Sequence, residues 1–155
     1  AMGDDLLTAW RPELVQAVIA GLTTLPGWWA SGPYNADAVA DLHRLRRRIK
    51  RARYGLSNLE LLEPEAFSPW IARLRRLQEL LGDLNDLQLI DAALHRQLDG
   101  PPDQLVPGLC SLLMEQRGQC WQLWREQAAV LCDPQGRAAL YGLQMSKGAA
   151  VAPQA

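Results

Sequence analysis

Apolar residues recur at helical spacing along most of the chain. Leu6, Leu7, Trp10, Leu14, Val18 and Leu22 form one stripe, which predicts a helix over 5–22 with Pro12 near its first turn. The Gly- and Pro-rich "LPGWWASGPYN" breaks it. Asn35 or Asp37 is placed to cap a second helix that runs to about Leu62 and ends in "EPEAFSP". Ser68 and Pro69 suit the N-cap and first position of a third helix, which reaches about Leu98 before "DGPPDQ" stops it. A fourth helix spans about Leu105 to Leu131 with Leu109, Leu112, Leu113, Trp121, Leu123 and Trp124, and "CDPQG" closes it. A short fifth helix fits 136–146. No stretch alternates apolar and polar residues for long enough to form a strand. The expected fold is therefore all-α, a four-helix bundle joined by short Pro- and Gly-containing loops.

A chain of 155 residues supports one hydrophobic core. We place a single helical domain at 4–146 and a small-residue tail at 147–155. Apolar residues make up 48% and charged residues 21%, which excludes wholesale disorder. No apolar run approaches the roughly 20 residues of a membrane span, so no membrane partner is expected. The first residues lack the basic and apolar pattern of a secretory leader, and the cytoplasm is the expected location. Cys110, Cys120 and Cys132 match neither a redox nor a zinc spacing and read as small apolar residues.

Charge changes this picture. The formal net charge is −1, yet "HRLRRRIKRARY" at 43–54 holds seven basic residues and no acid. At 100° per residue, Leu42, Leu45, Ile49, Ala52, Leu56 and Leu59 share one face of the second helix, between about 160° and 260° from His43. His43, Arg47, Lys50 and Tyr54 lie within about 40° of the opposite direction, flanked by Arg46, Arg51 and Arg53 within about 80°. Like charges three or four apart repel by a few tenths of a kcal/mol per pair, and no acid lies between Asp41 and Glu60 to relieve them. With Arg73, Arg75 and Arg76, ten of the sixteen basic residues fall between Arg44 and Arg76. A solvated face usually mixes signs, so this density points to an anion-binding surface. Arginine outnumbers lysine there, and its planar fork suits phosphate oxygens. A polyvalent phosphate chain fits best, because only a long anion neutralises a whole stripe.

These segments resemble a known family. "LHRLRRRIKRARYGL" fits H-x-L-R-x-x-x-K-R-x-R-Y through His43, Leu45, Arg46, Lys50, Arg51, Arg53 and Tyr54. "LRRLQELLGDLNDLQLI" fits L-x-x-L-L-G-x-x-x-D through Leu77, Leu80, Leu81, Gly82 and Asp86. Both are similar to the signatures of CHAD domains, the conserved-histidine α-helical domains that bind inorganic polyphosphate. The resemblance implies non-enzymatic polyphosphate binding by His43, Arg46, Lys50, Arg51, Arg53 and Tyr54. Arg47, where the family commonly has an apolar residue, makes the stripe more basic. Arg73 and Arg76 join as candidates from the third helix. Family members usually carry two similar repeats, whereas this chain has one copy of each signature. It resembles a half-repeat, completed by homodimerisation or cut from a longer chain; Trp28 and Trp29 are the expected dimer contact. The resemblance also allows a place at polyphosphate granules.

Other chemistry fits less well. His43 has no His or Cys three or four positions away, and no metal site or cofactor is expected. The chain lacks a P-loop, a pair of clustered acid sets for two metals and a nucleophile–base spacing, so no enzyme is expected. Asp86 is read as orienting an arginine of the stripe, and Gly82 as a site of close helix packing or a local bend. Nucleic acid would be attracted to the same stripe, but aromatic residues are not interleaved with the arginines apart from Tyr54. An acidic protein partner remains the other alternative.

Overall fold

The apolar stripes assemble into six helices, given by a computed structural model that describes residues 2–144. They are α1 (Met2–Ile19), α2 (Ala36–Leu59), α3 (Pro64–Gln97), α4 (Pro102–Leu105), α5 (Pro107–Cys132) and α6 (Pro134–Tyr141). Short 3₁₀ turns fill Leu22–Thr24, Pro26–Trp29, Glu60–Leu62 and Gly142–Gln144. No strand occurs among the described residues, and the all-α expectation holds. The proposed tail at 147–155 lies outside the described residues.

The long helix α3 is the spine. It packs along α2 on one side and α5 on another, while α1 lies on α2 and α6 folds back on α5. Leu45, Ile49, Ala52 and Leu56 of α2 meet Phe67, Leu74 and Leu77 of α3 in a core completed by Trp124, Leu131 and Leu140, all essentially inaccessible to water. Each fully buried side chain of this size contributes roughly 1.5–3 kcal/mol. No helix among the described residues is long and apolar enough to cross a membrane.

Helix α2 begins where capping chemistry places it. The Asn35 side chain accepts from the backbone N–H of Ala38 at 2.7 Å, so Asn35 rather than Asp37 is the cap. The third helix starts earlier than Ser68 and Pro69 predict. Pro64 already supplies a first-turn proline, Ser68 Oγ instead donates to Glu60 Oε1 at 2.6 Å, and Pro69 sits inside the helix. Helix α1 likewise starts well before Pro12, which is interior. Among the α1 residues whose side chains are described, Arg11, Val15 and Ile19 are buried and Leu14 and Val18 are half-buried, with Arg11 over the Phe67 ring; Leu6, Leu7 and Trp10 of the expected stripe lie outside them. Arg11 also pairs with Glu63 at 2.5 Å. The fifth helix, expected at 136–146, runs instead from Pro134 to Tyr141, capped by Asp133.

Trp28 is a core residue rather than a dimer contact. Its ring stacks on Trp124 at 5.6 Å and its Nε1 donates to the Leu22 carbonyl at 2.7 Å. Trp29 is exposed. The turn carrying both tryptophans presses on α2 through Gly27, where an added Cβ would stand 2.8 Å from the Asp41 carbonyl and 2.9 Å from Leu45 Cβ. Backbone cannot yield as a flexible side chain does. We expect Gly27→Ala to lower stability by about 1–3 kcal/mol in urea unfolding, and an unchanged midpoint would show that the turn does not bear on α2.

Candidate functional site

The burial of one face of α2 leaves its cations on the other. His43, Arg47, Lys50, Arg51 and Tyr54 are exposed, and Arg46 and Arg53 lean half-buried toward α3. From His43 to Tyr54 the stripe extends roughly 16 Å along the helix axis. Among the described residues, no carboxylate lies within ion-pairing distance of Arg46, Arg47, Lys50, Arg51 or Arg53. Elsewhere the arginines are used internally. Arg48 Nη2 donates to the carbonyls of Val18 and Ala20 at 2.6 Å each, tying the end of α1 to α2. Burial, and then the charge of Arg51, lowers the pKa of Arg48. Arg44 reaches Asp41 at 3.5 Å.

Two arginines of the stripe are held by α3. Arg53 Nε donates to Gln78 Oε1 at 2.9 Å, and its guanidinium lies 4.4 Å from the centre of the Tyr54 ring. Arg46 lies across Gly82, where an added Cβ would meet its Nε and Nη2 at 3.6 Å. The Arg46 guanidinium thus lies beside the backbone of α3 at Gly82, at a distance that leaves room for a Cβ, so the close helix packing expected at this glycine is not what its surroundings show.

Gln78, Gly82 and Asn85 mark the edge of α3 that borders the stripe, and Arg75 continues it one turn earlier, within about 50° of their mean direction. Arg73 and Arg76 lie about 150° away from that direction. Arg73 covers the Trp70 ring at 5.6 Å, and Arg76 lines the groove between α3 and α5 with Asp83 and Asp86. The structure thus places Arg73 and Arg76 apart from the stripe and Arg75 beside it. Asp86 is exposed in that same groove, and among the described residues it orients no arginine of α2.

At the His43 end of the stripe, α2, α3 and the loop before α2 enclose a pocket of about 30 Å³. Its polar walls are His43, Arg46, Asn85 and Gln88, and its floor includes Leu42, Leu81 and Leu84. Arg46 Nε is buried there, and no protein group among the described residues accepts a hydrogen bond from it. Sequence reasoning passed over Asn85, Gln88 and Arg117. Arg117 of α5 donates to Gln88 Oε1 at 2.6 Å and to the Pro33 carbonyl at 3.3 Å, beneath the Tyr34 ring at 4.8 Å. A guanidinium has only donors, so Gln88 turns its oxygen to Arg117 and its NH₂ is left to donate elsewhere. The spacing of Asn85 and Gln88 beyond Gly82 was a usable signal; nothing near Arg117 in sequence marks it.

Cys120 is buried, and burial with the charge of Asp83 raises its thiol pKa, which fits a packing role. No group of three or more metal-ligating side chains occurs among the described residues. Comparison with curated proteins and with solved structures found no match. Residues 3–95, covering α1, the stripe on α2 and nearly all of α3, match the family described as CHAD domain, and the chain belongs to that family.

Proposed function

We propose that this protein binds inorganic polyphosphate, without catalysis, along the cationic face of α2. CHAD domains bind polyphosphate as a family. The observation that carries the reading here is the set of five cations, Arg46, Arg47, Lys50, Arg51 and Arg53, with no carboxylate partner among the described residues. Cations kept free of internal acids on one face supply the contacts that a chain of phosphates satisfies one after another. Arg53 and Arg46 are oriented before a ligand arrives, which reduces the side-chain entropy lost on binding. Arg75 extends the surface across to α3.

Long-chain polyphosphate should bind with strong salt dependence. If five counterions are released, affinity falls by about a hundredfold between roughly 50 and 200 mM salt. Replacing Arg46, Lys50 and Arg53 together by Ala should remove most of this binding and flatten the salt slope. Single-stranded DNA at matched phosphate concentration should compete poorly. A folded protein that ignores polyphosphate, or prefers DNA, would sink the reading.

We also propose that two chains associate through α5. Between Gln104 and Trp124 the only charged residues are Glu115 and the largely buried Arg117, while Leu109, Leu112, Met114 and Leu123 are exposed. Charge depletion with exposed large apolar side chains is typical of an interface core. Sedimentation should give the mass of two chains, and Leu112→Glu with Met114→Glu should return one chain; a wild-type monomer at all concentrations rules the association out.

A further inference from the structure

The pocket at the His43 end differs in chemistry from the stripe it adjoins. The stripe is open, charged and extended; the pocket is partly enclosed, floored by leucines, and walled by side chains that offer donors. No carboxylate lines it. Among the described residues the Asn85 side chain makes no hydrogen bond, Arg46 Nε is buried and unpartnered, and the NH₂ of Gln88 is turned away from Arg117. The three side chains line a space of about 30 Å³, room for about two waters at roughly 10–15 Å³ each. An acceptor-rich, compact anionic group matches the donors that Asn85, Gln88 and the guanidinium of Arg46 bring to this lining.

We propose that this pocket takes the terminal phosphate of a polyphosphate chain, so that the protein recognises a chain end as well as chain length. The inference rests on the polyphosphate reading above. An internal phosphate is linked on both sides and needs room for the chain to enter and leave, which a pocket of about 30 Å³ over Leu42, Leu81 and Leu84 disfavours. A terminal phosphate is linked on one side only. It carries one more non-bridging oxygen and one more ionisable proton than an internal unit, and therefore more negative charge to set against Arg46. With its end seated between Asn85 and Gln88, the chain leads out past Arg46 and onto Lys50 and Arg53, in the direction of the stripe.

Two neutral substitutions separate the pocket from the stripe. Asn85→Leu removes a donor at nearly constant size, and Val39→Phe fills the pocket from its α2 wall without changing charge. The probes are tripolyphosphate, long-chain polyphosphate, and the same long chain with both ends blocked as alkyl esters, measured by calorimetry on protein shown to be folded by its thermal transition. Each variant should bind tripolyphosphate about tenfold more weakly, equivalent to about 1.4 kcal/mol, and bind the end-blocked chain within about twofold of wild type. Wild-type protein should itself prefer free to blocked ends at equal phosphate, a comparison that holds even if a variant does not fold. Equal loss for both probes, no loss for either, or no wild-type preference for free ends overturns the pocket while leaving the stripe intact. Failure of wild-type protein to bind any of the three overturns the polyphosphate reading as well.

Discussion

The burial of Leu45, Ile49, Ala52 and Leu56 against α3 decides where every charge on α2 must go. Leu45, Ile49 and Leu56 each contribute about 1.5–3 kcal/mol when removed from water, whereas a like-charge pair one turn apart costs only about 0.2–0.5 kcal/mol. Rotating α2 by a single residue to scatter its cations would swing this apolar face about 100° out of the core. Repulsion along the stripe is therefore tolerated because the core outweighs it. The concentration of charge is a consequence of amphipathic packing combined with a sequence that places Arg or Lys at nearly every position outside the core.

That combination leaves two classes of arginine on one helix. Arg48 is drawn into structure by the carbonyls of Val18 and Ala20, and Arg44 is partly neutralised by Asp41. Arg11, on α1, is neutralised by Glu63 and covered by Phe67. In each case the fold supplies acceptors for the guanidinium. For Arg46 and Arg53 it supplies support without neutralisation: a backbone surface at Gly82, an amide oxygen at Gln78 and a ring at Tyr54. Support of this kind fixes direction and leaves the charge available. The contrast supports the proposed reading of this face more sharply than a count of basic residues does.

How much of this was legible beforehand follows from the range of each interaction. The face of α2 is set by 100° periodicity within a single helix, so its core and cationic residues were readable from local spacing. Helix starts depended on competing local signals, and Pro64 and Pro69 both fit a first turn; the choice lies in the contact between Ser68 and Glu60. The side of α3 that meets the stripe is a tertiary matter. Arg73, Arg75 and Arg76 look alike in sequence, and only the positions of Gln78 and Gly82 against Arg53 and Arg46 single out Arg75. Trp28 was hidden for the same reason, since its partner Trp124 is far away along the chain. Arg117 lay beyond any local pattern.

Arg117 also shows that the site draws on more of the chain than the part that matches the family. The stripe lies wholly within residues 3–95, yet the amide of Gln88 owes its orientation to α5, outside that match. The two parts of the site respond to different physics. Exposed cations attract phosphate through a Coulomb field that falls off within a Debye length, about 10 Å at 0.1 M salt and about 3 Å at 1 M. Hydrogen bonds inside a partly enclosed pocket are short-ranged and less screened. On the proposed reading, rising salt therefore weakens contacts along the stripe faster than contacts at the pocket, and shifts the balance from the length of a phosphate chain toward its end. A mutation on α5 that releases Gln88 would act on the second kind of recognition without altering a single charge of α2.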